Sequence, residues 1–309
     1  MEWTCIGALI AVVVTLLVVL CAGCSRLWGG GHRYGASPGD TTVTMAGRKD
    51  GFGAQLQALL AVTAAARHHG TACRFAPIRV DPGEHETDSE ELALLLSGFE
   101  ENLGAATSSS IPLGLLDAAQ DASQPGLPPG FADTTQQIHW GTDPDRYYTP
   151  DLLQELRAWY MVGAGRLGLR ALADKGACTA VHIRRGDVQS NVPLGAQRYV
   201  PMHVYEALLE ALLRRDNSHV HIFSEGDPQE FESLRRASPG RVTLHLEGSV
   251  AVAFHAMVTA TTLVTARSSL SYAAALLREG PVLYCPFWHA PLRRWLRVEE
   301  ALGVKIDFW

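Results

Sequence analysis

Val181-His182-Ile183-Arg184-Arg185-Gly186-Asp187 concentrates chemically active side chains at the end of a β-prone run. Side chains alternate along a strand, so His182 and Arg184 share one face while Arg185 points elsewhere. An arginine at the carboxyl end of a strand can hold a diphosphate through two parallel hydrogen bonds. Gly186 permits a sharp turn, and Asp187 can brace the arginines. On composition alone the segment reads equally well as a solvated basic turn. Three further places carry polar groups next to expected helix starts: Asp50-Gly51-Phe52-Gly53-Ala54-Gln55, Glu225-Gly226-Asp227-Pro228 and Arg267-Ser268-Ser269-Leu270-Ser271.

These groups sit in an alternation of strand and helix patterns. Residues 42–46 are β-prone and residues 54–69, rich in Ala and Leu, read as a helix. A second helix is expected over 90–103 and a third over 151–173, with 104–150 as long loops containing at most short helices. The second half is more regular. Strands are expected at 178–183, 219–223, 241–246, 262–265 and 281–285. Helices are expected at 200–215, after Asp227-Pro228, and at 250–260, 268–278 and 292–302. Strands alternating with helices of this length imply a parallel sheet wound on both faces. In such sheets ligands lie at the carboxyl ends of the strands, which is where the arginine, acidic and serine segments fall.

The 181–187 segment resembles the HxRRGD element of the fucosyltransferase superfamily, which includes the α1,2-, α1,6- and protein O-fucosyltransferases. The resemblance implies a GT-B architecture, two facing Rossmann-like domains with parallel sheets. It also implies metal-independent, inverting transfer from GDP-fucose. Through it, Arg184 takes the β-phosphate, Arg185 assists, and His182 lies near the nucleotide. Residues 221–227 resemble the family strand that ends in an acidic turn beside guanine. A carboxylate can accept both the N1–H and the N2 amine of that base. Glu225 is the better placed acid, since Asp227 has a rival role as a helix N-cap. Ser268 and Ser269 resemble a Ser-Ser element whose hydroxyls and helix amides hold phosphate. Gly51 and Gly53 resemble the Gly-rich GxGNQ loop, with Ala54 where the family has Asn. No acid follows Asp187 within residues 188–192, so the base that takes the acceptor proton is not identified.

Composition bounds these readings. The chain has 309 residues, 47% of them hydrophobic, and a formal net charge of −6. This suits a chain with a packed core and not a general nucleic-acid binder. Outside the first 24 residues only Cys73, Cys178 and Cys285 remain, and no Cys/His cluster has zinc-site spacing. Asp143-Pro144-Asp145 spells DxD but reads as a turn. No metal or other cofactor is therefore expected, the sugar nucleotide being a substrate.

Residues 6–24 hold 19 residues without a charge. As a helix they would extend about 28 Å, close to the hydrocarbon thickness of a bilayer. The preferred reading is an uncleaved anchor, with a cleaved signal or a lipoprotein signal ending at Cys24 as alternatives. The expected organisation is a short tail (1–5), an anchor (6–24), a flexible stem (25–40), an acceptor-side Rossmann-like domain (41–170) and a nucleotide-sugar domain (171–309). That layout implies a single-pass protein of the Golgi or endoplasmic reticulum with a lumenal body. Arg26 and Arg33 after the span give a weak charge bias the other way. The expected partners are a nucleotide-sugar donor and a glycan or glycoprotein acceptor. The competing readings are a transferase for another sugar nucleotide and a non-catalytic nucleotide-sugar-binding relative.

Overall fold

Short β-branched or apolar runs form nine parallel strands among the residues that the computed structural model describes, 41–48, 50–80, 88–114, 126–188 and 197–303. The expected anchor and stem lie outside these residues. Among the described residues no helix is long and apolar enough to cross a membrane.

The first half holds β1 (Thr42–Met45), β2 (Ala72–Arg74) and β3 (Ile111–Leu113), in the order β2-β1-β3. Val43 stands opposite Cys73 on one side and Ile111 on the other. Helix α1 (Phe52–His69) leaves the carboxyl end of β1 after Gly51. Its many alanines and leucines leave no polar stripe, and it is buried from Phe52 almost throughout to Ala66. Gly70, at φ 65°, ends it in the left-handed conformation.

Several boundaries differ from the sequence reading. The helix expected over 90–103 is two, α2 (Ser89–Leu95) and α3 (Ser97–Leu103), because Leu96 leaves helical geometry at φ −97°, ψ 3°. Within the stretch read as loops lie β3 and α4 (Phe131–Trp140). The third helix, α5 (Pro150–Arg166), stops short of 173 where Gly168 turns left-handed at φ 67°.

The second half runs β4 (Cys178–His182), α6 (Met202–Arg215), β5 (His219–Phe223), α7 (Glu232–Ala237), β6 (Val242–His245), α8 (Val250–Thr259), β7 (Thr262–Val264), α9 (Ser269–Leu276), β8 (Val282–Tyr284), β9 (Leu296–Arg297) and α10 (Val298–Leu302). The expected final helix over 292–302 begins only at Val298. Ahead of it β9 pairs in parallel with β8, Tyr284 opposite Arg297. The sheet order is β6-β5-β4-β7-β8-β9. Counted from β4 this is 3-2-1-4-5-6, the doubly wound order of dinucleotide-binding folds, with its reversal between β4 and β7.

The pleat divides the core. Val181, Ile183, Val220, Ile222, Val264 and Leu283 pack with residues of α6, including Tyr205 and Leu208, and with Phe231. Cys178, Ala180 and Phe223 belong to the other core, which continues through α8, α9 and α1 to the first sheet. That core crosses residue 170 without a break. At its centre Phe254 is fully buried and meets Phe52 and Tyr160 edge-on at 5.4 and 5.5 Å. Cys73, Cys178 and Cys285 are free and buried.

Candidate active site

The carboxyl ends of β4, β5, β6, β7 and β8 open onto one cleft of about 1350 Å³, whose opposite wall comes from the β1–α1 loop and the end of α4. His182 ends β4 and faces this cleft at 5% exposure, its Nδ1 without a hydrogen-bond partner among the described residues. Burial, reinforced by the neighbouring Arg184 charge, pushes its pKa down to about 3, so the ring is neutral at ordinary pH. Arg184 lies on the same side, partly exposed in the cleft, and its Nη2 holds the Asp187 carboxylate at 2.6 Å. Asp187 is thus the brace of Arg184.

Arg185 goes the other way, as alternation requires. It is 3% exposed, its Nε bonds Glu230, its Nη1 donates to the Arg184 carbonyl and its Nη2 to the Val200 carbonyl, both at 2.9 Å. Its guanidinium also stacks 4.3 Å from the Tyr199 ring centre. These contacts engage three of its five N–H groups within the protein, while its surface also lines the cleft. Gly186 adopts φ 76°, and a β-carbon there would run into the Glu225 carboxylate. The turn therefore brings the arginine segment against the β5 end. Ser224 ties the same two ends together, its hydroxyl donating to the Ile183 carbonyl at 2.8 Å.

Glu225 is exposed and lines the cleft. Asp227 does not line it; its carboxylate accepts from the Gln229 N–H at 2.9 Å and caps the 3-10 turn before α7. The rival reading of Asp227 as a helix cap is the one the geometry supports. Beside Glu225, Phe223 and His245 stack at 4.6 Å and 10°, and both line the cleft.

After β7, Ser268 caps α9 by accepting from the Leu270 N–H at 3.3 Å, and Ser269 opens the helix facing the cleft. The helix start directs unsatisfied amides and a partial positive charge towards a bound anion. Arg267 is 3% exposed and donates to the carbonyls of Pro286 and Gln197 at 3.1 and 3.2 Å. Gly53 explains how α1 joins this arrangement: a β-carbon on it would lie 2.5 Å from the Leu270 Cα. The starts of α1 and α9 can meet only because residue 53 has no side chain. Gly51, Gly53 and Ala54 all line the cleft.

The opposite wall was largely missed by sequence reasoning. Arg48 donates from Nε to Asp50 at 2.5 Å. Gln55 fastens this loop, its amide bonding the carbonyls of Asp50 and Arg79. His139 and Trp140 arrive from α4, and Arg198, Trp288 and His289 from the second half. Burial and a nearby Arg48 charge lower the His139 pKa to about 4, and burial with His139 lowers that of His289 to about 3. Asp143 and Asp145, the DxD turn, both hold Arg293, one at its guanidinium and one at its backbone N–H, each at 2.9 Å. Of this wall, Asp50 and Gln55 lay within the glycine-rich segment that the sequence singles out, while His139, Trp140, Arg198, Trp288 and His289 carried no motif.

Among the described residues no group of three or more His, Cys, Asp or Glu is placed to hold a metal. The basic side chains lining the cleft are Arg48, Arg184, Arg185, Arg198 and Arg267, and its acids are Asp50, Asp187, Glu225 and Glu247.

No family model and no curated protein matches this chain. Among solved structures it is similar to the E. coli heptosyltransferase WaaC with ADP, at 15% identity and TM-score 0.40, over 83% of this chain and 92% of that one. It is similar to POFUT1 in complex with GDP-fucose at 12% identity and TM-score 0.40, over 82% and 99%. The fucosyltransferase NodZ from Bradyrhizobium follows at 14% identity and TM-score 0.37, over 77% and 94%. These distant likenesses assign neither a family nor a substrate.

Proposed function

We propose that the chain is an inverting, metal-independent glycosyltransferase of the GT-B type that takes its sugar from a nucleoside diphosphate, GDP-fucose being the preferred donor. The observation that carries this reading is the position of Arg184. It stands at the carboxyl end of β4, beside the reversal between β4 and β7, in one cleft with the start of α9. A diphosphate at this point meets a guanidinium from one strand and helix amides from the next. The resemblance of residues 181–187 to HxRRGD supports the donor class, and Glu225 beside the Phe223–His245 stack supports guanine as the base. The proposed halves, 41–170 and 171–309, are read as the acceptor-side and donor-side domains respectively.

In the reaction an acceptor hydroxyl oxygen attacks the anomeric carbon while the bond from that carbon to the β-phosphate oxygen breaks. The electron pair leaves with the nucleoside diphosphate, and negative charge grows where Arg184 and the α9 amides lie. The hydroxyl proton passes to a base. Asp50 on the opposite wall and Asp187 are both cleft carboxylates, each paired with an arginine, Arg48 and Arg184, and neither is assigned as the base.

Incubating the full chain with GDP-fucose, other GDP-sugars, UDP-sugars and ADP-heptose, and measuring nucleoside diphosphate release, tests the reading. Release from GDP-fucose above the others supports it, and release from none opposes it. A binding-only relative is the second reading, favoured by Ala54 in place of Asn; it predicts GDP binding without turnover. We also place the body in the lumen of the Golgi or endoplasmic reticulum behind an anchor at residues 6–24. A glycosylation sequon engineered into residues 29–40 becomes modified if this holds.

A further inference from the structure

At the β8 end of the cleft, away from Glu225, two tryptophans from distant parts of the chain meet. Trp140, the last residue of α4, is 50% exposed although it lines the cleft. Its ring centre lies 6.4 Å from that of Trp288, which follows β8, at a 46° tilt. Trp288 is held firmly. It stacks on Phe287 at 3.8 Å, and its indole N–H donates to His289 Nε2 at 2.9 Å. With Nε2 accepting, His289 carries its proton on Nδ1, which donates to the His139 carbonyl at 3.1 Å. This chain fixes the β8 loop to the end of α4 and fixes the ring faces with them.

Polar groups without partners border the same place. His139 Nδ1 and Arg198 Nε are buried without a hydrogen-bond partner among the described residues, and the Arg198 guanidinium lies 5.0 Å from the Trp288 ring centre. An exposed aromatic ring edged by unfilled donors and acceptors suits a pyranose. The C–H face of a sugar covers the ring, and its hydroxyls reach outwards in its own plane. A peptide would leave most of this in-plane capacity unused.

Position excludes the donor base from this platform. Strands neighbour at about 4.8 Å, so the end of β8 stands about 14 Å from that of β5, with the phosphate position at β4 and β7 between them. A nucleotide whose base lies at Glu225 directs its far end towards the tryptophans. We infer that Trp140 and Trp288, with Arg198 and His139 at their edge, form the acceptor subsite, and that the acceptor is a carbohydrate whose sugar ring stacks on Trp140. This rests on the proposed function for the position of the donor.

The test uses the full chain, saturated with GDP, on an array of free oligosaccharides from chitobiose and N-acetyllactosamine to branched N-glycans, alongside serine- and threonine-containing peptides. The best binder is then titrated by tryptophan fluorescence. The expected result is saturable oligosaccharide binding, weakened about tenfold or more by Trp140→Ala and largely kept by Trp140→Phe, with GDP affinity retained in both. Trp140 is exposed, so neither change threatens folding. Peptide binding without oligosaccharide binding overturns the inference, as does an array with no binder or an unchanged affinity in Trp140→Ala. Loss of GDP affinity in that variant also overturns it, because the base would then be the group on the ring. Oligosaccharide binding by a chain that binds no GDP keeps the subsite and removes the proposed function instead.

Discussion

Arg184 and Arg185 are neighbours in sequence and have opposite fates: Arg184 opens into the cleft with Asp187, while Arg185 is buried against Glu230, Val200 and Tyr199. The pleat of β4 separates them. One is therefore available to a ligand and the other holds the turn in place.

That division predicts different failures for two adjacent substitutions. Arg184→Ala lowers kcat by about 10²–10³, the usual loss when one donor to a developing negative charge is removed. Its thermal stability changes little. Arg184→Lys recovers little activity, because an ammonium offers a point charge where a planar fork is needed. Arg185→Ala leaves Glu230 and the Val200 carbonyl without their donor and costs about 3 kcal/mol of stability. Turnover combined with urea denaturation separates the two effects; loss of activity confined to a stably folded Arg185→Ala would reverse the assignment.

Gly53→Ala places a methyl group against the backbone of Leu270. The starts of α1 and α9 must separate, at a cost of about 1–3 kcal/mol, and the cleft between them widens. Both the unfolding midpoint and the donor KM should worsen. Gly47→Ala, where a β-carbon meets nothing within 4 Å, is the control. Equal behaviour of the two variants would contradict this packing account.

The histidines give a pH dependence of definite sign. His182, His139 and His289 have folded pKa values of about 3, 4 and 3, against an ordinary value of 6.5. The unfolded chain takes up protons on these rings below pH 6.5 and the folded chain does not. Their stabilising contribution is therefore present above pH 6.5 and lost as pH falls towards 4. Between pH 7 and 5.5 the three together remove about 4 kcal/mol. Urea midpoints across this range should fall steadily, and a flat profile would show the rings to be solvated.

In the proposed mechanism the arginines supply the charge that a divalent ion would otherwise bring. Turnover should accordingly survive EDTA with little change and gain little from manganese. Complete loss in EDTA with restoration by manganese would contradict the mechanism.

The sheet of the second half was legible because its strands are separate apolar runs such as residues 219–223, each bounded by polar or glycine-rich turns. The split between Arg184 and Arg185 followed from alternation alone. Strand β3 was not legible: it is three residues long, contains Pro112, and is specified by its parallel neighbour β1. Helix α4 was hidden because its buried face mixes Phe131 and Ile138 with Thr134 and Thr135. With α4 went His139 and Trp140, and so the part of the far wall that the β1–α1 loop does not supply. Trp288 and Arg198 carried no local pattern, since their partners lie on other segments. Asp227 was legible in both its roles, and only the Gln229 contact decides between them.

The most direct test is a calorimetric titration of GDP into the full chain and into Arg184→Ala, with no metal present. The account predicts a single site in the native chain and affinity weakened about tenfold to a hundredfold in the variant, the worth of one charged hydrogen-bonding group. GMP, which lacks the β-phosphate, should bind more weakly than GDP to the native chain and lose little more in the variant. No binding of GDP, or equal affinity of GDP for both proteins, would contradict the placement of a nucleoside diphosphate at the end of β4.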